Sequence, residues 1–252
     1  MKQYLALLCV AALAACGGGG GSTPTTQSTP TNTSNQTSST AANSQNASGR
    51  QFYSLYNSKA DAVTFDSSNI KKIKIDGVDI DLATIGGGHF NDWQGNFGGI
   101  RSGNANAPAG VSDWLVYNQS GDLVAGVVTK SGNNYAFYNG KFTDAAQMPA
   151  SGKAVYNAGV VQFMQFNGLS SQTLSSSRFT ADFGAKKVTA DILRDARYGG
   201  NIAINADISG SKFASAAGAA TQVEGGFFGA NAAEIGGIFK NGETVGAFAG
   251  KK

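Results

Sequence analysis

Several short runs of this chain alternate apolar and polar residues. Phe179, Ala181 and Phe183 alternate with Thr180 and Asp182, and Val188, Ala190 and Ile192 with Thr189 and Asp191. Ile202, Ile204, Ala206 and Ile208 alternate with Ala203, Asn205 and Asp207. A period of two sets one face in a core and the other in water, so these are half-buried strands rather than helices. About seven or eight such strands are expected between Ala154 and Gly250. Their interior positions are often Gly or Ala, which suits a curved, closed sheet where backbones approach closely. The pattern predicts an all-β chain whose residues 147–252 form a small antiparallel barrel of about eight strands.

Two tight hairpins can be registered residue by residue. With Asp76-Gly77 as a two-residue loop, Ile75 faces Val78, Lys74 faces Asp79, Ile73 faces Ile80 and Lys72 faces Asp81. One face is then aliphatic and the other a ladder of opposite charges. Asn241-Gly242 is read the same way, as a type I′ turn that sets Lys240 against Glu243, Phe239 against Thr244 and Ile238 against Val245. Further strands are expected at Asp113 to Tyr117, Asp122 to Thr129 and Asn134 to Tyr138, with turns at Gly121 and Gly132. These make residues 50–146 a second β-rich unit. Ile85 to Gly110 loses the period of two, is dense in glycine, and reads as a long irregular loop.

The N-terminal part is of a different kind. Met1 to Ala15 has one charge, Lys2, and an apolar run from Tyr4, too short to span a bilayer, which takes ~20 residues. Residues 1–15 are therefore expected to be a signal peptide. It ends Leu13-Ala14-Ala15-Cys16, the lipobox pattern, with small residues before the cleaved bond and a thiol to carry diacylglycerol. Gly17 after the cysteine, in place of a retaining Asp, points to the bacterial outer membrane. Residues 16–49 follow as lipidated Cys16 and a Gly/Ser/Thr/Asn tether with neither charge nor aromatic ring from Gly17 to Gly49. As a coil such a tether spans on the order of 30 Å, and fully extended about 100 Å. Asn32, Asn35 and Asn46 lie in glycosylation sequons, discounted for a bacterial chain.

Charge and cysteine narrow the classes. Cys9 leaves with the signal and Cys16 is lipidated, so no disulfide is expected and no cofactor is required for folding. With Lys2 removed the formal balance is +2, which gives no case for nucleic acid. There is no G-x-S-x-G elbow, no phosphate loop and no dinucleotide fingerprint, and one histidine cannot build a multi-histidine metal site. The expectation is a binding protein, not an enzyme.

Three pieces of the C-terminal region carry a resemblance. "MPASGKAVYNAG" from Met148, "ADFGAKKVTADI" from Ala181, and "GGFFGANAAEIGGIF" with "VGAFAGKK" from Gly225 to Lys252 resemble the β-barrel domain of transferrin-binding protein B and its relatives, and fall in the family's order. Those relatives include factor H binding protein and the hemophilins. The resemblance implies a surface lipoprotein carried across the outer membrane by a Slam-type translocon, with residues 50–146 as the handle or clamp domain that precedes the barrel. Relatives share the barrel while binding transferrin, haemoglobin, haem or a complement regulator, so the fold does not fix the ligand.

Two ligand classes follow. In the first, the protein takes haem, alone or from a host haem protein, for a TonB-dependent transporter. His89 would be the axial ligand, because a neutral imidazole suits haem iron. Gly86-Gly87-Gly88 would let backbone approach a flat macrocycle, and Phe90, Trp93 and Phe97 would cover its apolar faces. Tyr53, Tyr56 and Tyr117 are substitute donors as phenolates. In the second class, an exposed face binds a serum protein such as a complement regulator. A transferrin binder ranks third, since the chain has one barrel where the family's transferrin binders carry two lobes.

Overall fold

The computed structural model describes residues 52–54, 63–65, 68–82, 87–91, 98–102, 110–117, 122–166 and 169–252. Apart from the short 3-10 turns Ala145–Gln147, Ala196–Tyr198 and Ala230–Ala232, the described elements are strands. Three sheets result, and all described residues fall in one compact unit.

A three-stranded sheet is built from β2 (Val63–Phe65), β3 (Lys72–Ile75) and β4 (Val78–Asp81). The β3–β4 hairpin has the predicted register at every pair. Asp76 and Gly77 both take positive φ, 48° and 74°, as a type I′ turn demands. Ile73, Ile75 and Ile80 are buried, while Lys74 meets Asp79 at 3.4 Å on the wet face.

The second sheet has six strands: β1 (Phe52–Ser54), β5 (Gly87–Asn91), β6 (Gly98–Ser102), β7 (Val111–Tyr117), β8 (Leu123–Lys130) and β9 (Asn133–Gly140). They lie in the order β1-β9-β8-β7-β6-β5. The expected irregular loop from Ile85 to Gly110 is corrected here, because it contains the β5–β6 hairpin. Glycine hid it. Gly88 pairs Arg101 and Phe90 pairs Gly99, so four glycines in ten strand positions erase the alternation that marks a strand.

The third sheet is the barrel: β10 (Lys153–Phe166), β11 (Leu169–Asp182), β12 (Lys187–Ile192), β13 (Ile202–Ser209), β14 (Lys212–Ala214), β15 (Thr221–Phe228), β16 (Glu234–Asn241) and β17 (Thr244–Lys251). Each strand pairs its neighbour antiparallel and β17 closes on β10. The eight strands answer the sequence expectation. The last hairpin does not. Its loop is Gly242-Glu243, so Lys240 pairs Val245, Phe239 pairs Gly246 and Ile238 pairs Ala247. Gly242 has φ +58° and Glu243 has no positive φ, which fits a turn with glycine first rather than a type I′ turn on Asn241-Gly242.

Inside the barrel, aromatic rings lie over glycines. Phe213 and Phe248 sit where a Cβ on Gly225 and Gly237 would be, and these two glycines pair across β15 and β16. Phe179 stacks on Phe248 with centroids 4.2 Å apart. On the outer wall the same two strands offer Gly226 and Gly236, again paired, and Phe142 and Leu123 press into them.

That outer contact joins the sheets. Leu123, Ala125, Val127, Ala136 and Tyr138 form one buried cluster with Val161, Phe228, Ile238, Val245, Ala247 and Ala249 of the barrel. Val116, Val124, Val128, Tyr135 and Phe137 face the other way and pack on Ile73, Ile75 and Ile80. The six-stranded sheet is therefore the middle of three layers, which is why β8 and β9 are buried along nearly their whole length. A buried Val, Leu or Ile contributes about 1.5–3 kcal/mol, so this shared core ties the layers firmly. The joining segment is stitched as well: Thr143 N–H donates to Phe227 O at 2.8 Å and Thr143 Oγ1 to Gly229 O at 2.7 Å.

Candidate functional site

His89 and Phe90, the centre of the sequence-derived site, lie on β5, the terminal strand of the six-stranded sheet, opposite Ile100 and Gly99 of β6. Both strands of this hairpin carry a glycine pair, Gly87-Gly88 at the start of β5 and Gly98-Gly99 at the start of β6. Trp93 and Phe97 lie outside the described residues, as do Cys16 and Tyr56. Tyr53 is on β1, which pairs β9 at the opposite edge of the sheet from His89.

Tyr117 is unsuited to iron. It sits in the core shared by sheet and barrel, 7% exposed. Burial, with the charge of Glu234, raises its phenol to about 12.

A polar cluster that the sequence reading missed occupies one end of the barrel. Inward positions of β10 run Tyr156, Ala158, Val160, then Gln162, which is fully buried. Gln162 Nε2 donates to Leu193 O at 2.8 Å and Ser175 Oγ at 3.3 Å. Arg194 follows Leu193; its Nε donates to Gly200 O at 2.6 Å and its Nη1 to Thr244 Oγ1 at 3.0 Å. Gly199 turns the loop with φ +99°, and a Cβ there would lie 2.9 Å from Arg194 Nη2. The loop is pinned by Asp195, whose carboxylate takes the Arg197 N–H at 2.8 Å and its Nη2 at 2.9 Å. Those bonds from Arg197 hold the Asp195 carboxyl down at about 2.

This end presents hydrogen-bond donors and acceptors around Gln162 and Arg194. Among the described residues no ion pair engages Arg194, and partial burial lowers its pKa. Gln162 Oε1 and Ser177 Oγ are buried and lack hydrogen-bond partners among the described residues. Also among the described residues, no group of three or more His, Cys, Asp or Glu could hold a metal ion. The only sequence signal for the cluster was one glutamine in an apolar inward stripe.

Comparison with known proteins bears on the whole arrangement. Residues 148–252 match the family described as the C-lobe and N-lobe beta barrels of Tf-binding protein B. An uncharacterized protein of Haemophilus influenzae is 35% identical over 137 residues, covering 49% of this chain and 44% of the relative. Among solved structures, the isotype 1 transferrin binding protein B of serogroup B Neisseria meningitidis is similar at TM-score 0.58 and 19% identity, over 81% of this chain and 42% of that one. A point mutant of the Haemophilus parasuis protein is similar at TM-score 0.53 and 18% identity, over 81% and 44%. The structural likeness thus extends well beyond the barrel into the sheets before it. The chain spans less than half the length of these three relatives.

Proposed function

We propose, on the premise that residues 148–252 form a barrel of the Tf-binding protein B type, that this chain is a lipid-anchored protein of the outer-membrane surface that captures a host-derived ligand. One observation carries this reading. Sheet and barrel share one core, and the chain is similar over 81% of its length to 45% of an intact transferrin-binding protein B with N and C lobes, which supports reading it as one such lobe. Cys16 attaches the acyl chains and residues 17–49 hold the lobe away from the membrane.

Within that reading the ligand class is haem or a host haem protein, with His89 as iron donor and Phe90, Trp93 and Phe97 covering the macrocycle. Gly87-Gly88, next to His89 on β5, support it, because backbone without side chains lets a flat group approach closely. The position of β5 supports it too: it is the sheet's last strand. When bound, haem supplies iron that accepts the imidazole nitrogen. The test is titration of lipid-free protein with haem, read in the visible spectrum, for wild type, His89→Ala and Tyr117→Phe. A Soret shift that His89→Ala abolishes and Tyr117→Phe leaves intact supports the assignment. No shift in wild type removes haem and leaves a serum protein, such as a complement regulator, as the ligand.

A further inference from the structure

One rim of the barrel is formed by the starts of β10, β12, β14 and β16 and the ends of β11, β13, β15 and β17. Lys153, Lys186, Lys187, Lys212 and Lys251 stand on it, with Lys141 and Lys252 beside it, and every one is exposed. Contacts link them along the rim. Ile208 N–H donates to Lys186 O at 2.9 Å, Ser209 pairs Lys212, and Lys212 Nζ lies 4.8 Å from the centre of the Phe142 ring, next to Lys141. Thr143 Oγ1 then reaches Gly229 O, and Lys252 Nζ reaches Asn231 O at 2.7 Å.

Carboxylates do not cancel this charge at the surface. Lys153 meets Asp182 at 3.2 Å and Lys187 meets Asp207 at 2.6 Å, while the other lysines make no ion pair among the described residues. Asp144 and Asp207 are exposed, but Asp122, Asp182 and Glu234 are half-buried. Among the described residues the opposite rim has one lysine, Lys240, with Glu243 in the adjoining turn.

Strand direction puts the entry of the chain on the lysine side. β9 runs from Asn133 to Gly140 and leads into Lys141. β1 runs antiparallel to it, with Phe52 opposite Ala136 and Ser54 opposite Asn134, so Phe52 is the end of β1 nearer the lysine rim. The chain before Phe52 therefore joins the folded lobe from that side.

We propose that the lysine rim rests on the phosphate-bearing surface of the membrane that holds Cys16, an inference that builds on the lipid-anchored reading above. Headgroups spread negative charge over an area, and exposed lysines on flexible stems suit such a surface without a shaped pocket. A tether with a span on the order of 30 Å keeps the lobe close to the membrane, so a weak attraction suffices. Each lysine near an anionic surface contributes roughly a fivefold factor in binding. The opposite rim, with Arg194 and its loop, then faces away from the membrane.

The test uses the chain from residue 16 onward, whose only cysteine is Cys16. Its thiol is coupled to a maleimide lipid in vesicles of phosphatidylcholine, alone or mixed with phosphatidylglycerol. Amines are acylated briefly and located by mass spectrometry. Lys141, Lys186, Lys212 and Lys251 are expected to react more slowly on the mixed vesicles, Lys240 equally on both, and high salt to erase the difference. Replacing Lys141, Lys186 and Lys251 together by Gln should weaken partition of the uncoupled protein to mixed vesicles by up to about a hundredfold. Equal reactivity on the two vesicle types overturns the proposal. So does equal protection of Lys240, or protection that inorganic phosphate reproduces at the same ionic strength, the mark of a discrete phosphate site. The anchor here is supplied chemically, so these failures are distinct from failure of the anchored reading, which would show as Cys16 without acyl chains in cells.

Discussion

The contact between Leu123 and Gly236 is the sharpest point at which sheet and barrel can be pulled apart by mutation. Leu123 is fully buried, and a Cβ built on Gly236 would lie 2.7 Å from its Cδ2 and 2.8 Å from its Cδ1. Real contacts begin roughly 1 Å farther out, so Gly236→Ala forces the leucine to move, an overpacking cost of about 1–3 kcal/mol. Leu123→Ala alone empties the site and costs about 2–5 kcal/mol. In the double mutant the new methyl occupies part of the vacated space. The loss should therefore fall short of the sum by about 1–2 kcal/mol, a coupling usual for residues in contact. Gly225→Ala is the control: its Cβ would strike Gly236 O and come 2.5 Å from Phe213 Cζ inside the barrel. Leu123→Ala cannot relieve a clash with backbone on the far face. Urea unfolding followed by tryptophan fluorescence measures the three single mutants and the two double mutants with Leu123→Ala. Additivity of the Gly236 and Leu123 changes within about 0.3–0.5 kcal/mol would refute the seating of Leu123 on the glycine notch.

Gly242→Val places a β-branched residue at φ +58° with open space around it, so the cost is backbone alone, on the order of 1–3 kcal/mol. Unchanged thermal unfolding would argue against this turn. Tyr117, raised to about 12, and Tyr156, raised by burial and donating to Ala232 O at 2.8 Å, are neutral in the folded protein. Their folded pKa values lie above the unfolded value near 10, so the stability they confer is complete below pH 10 and is lost as pH rises toward 12. Phenolate absorbance should show these two ionising above pH 10 and together with unfolding. Ionisation of both near pH 10 with the structure intact would contradict it.

The sequence was most legible where local chemistry and packing agreed. At Asp76-Gly77 the turn residues, the aliphatic face and the charge ladder all demand one register, and that register forms. At the last hairpin Asn241-Gly242 suggested a loop one residue too early, because a glycine serves equally as the second residue of one turn type or the first of another. The resulting shift of two residues keeps Phe239 inside and Val245 outside, so the core was readable although the partners were not. Strands β5 and β6 escaped because glycine carries no periodicity. The outer half of β11 escaped because its serines do not alternate with apolar residues. Tyr117 looked available as a ligand because nothing local shows that the six-stranded sheet is covered on both sides. The uniformly apolar run from Leu123 to Val128 was the hint. The barrel-end cluster joins residues 162, 175, 194 and 244, contacts that only the closed barrel creates.

The central claim, a tethered lobe displayed outside the cell, is tested most directly by adding protease to intact cells that express the full chain. The uncharged polar composition from Gly17 to Gly49 makes that segment the expected place of cleavage, while the strands of sheet and barrel share a buried core. The account predicts release of a soluble, protease-resistant fragment that contains the six-stranded sheet and the barrel, and loss of cell-surface anchoring on Cys16→Ser. Full protection of the protein in intact cells, with digestion only after lysis, would contradict it.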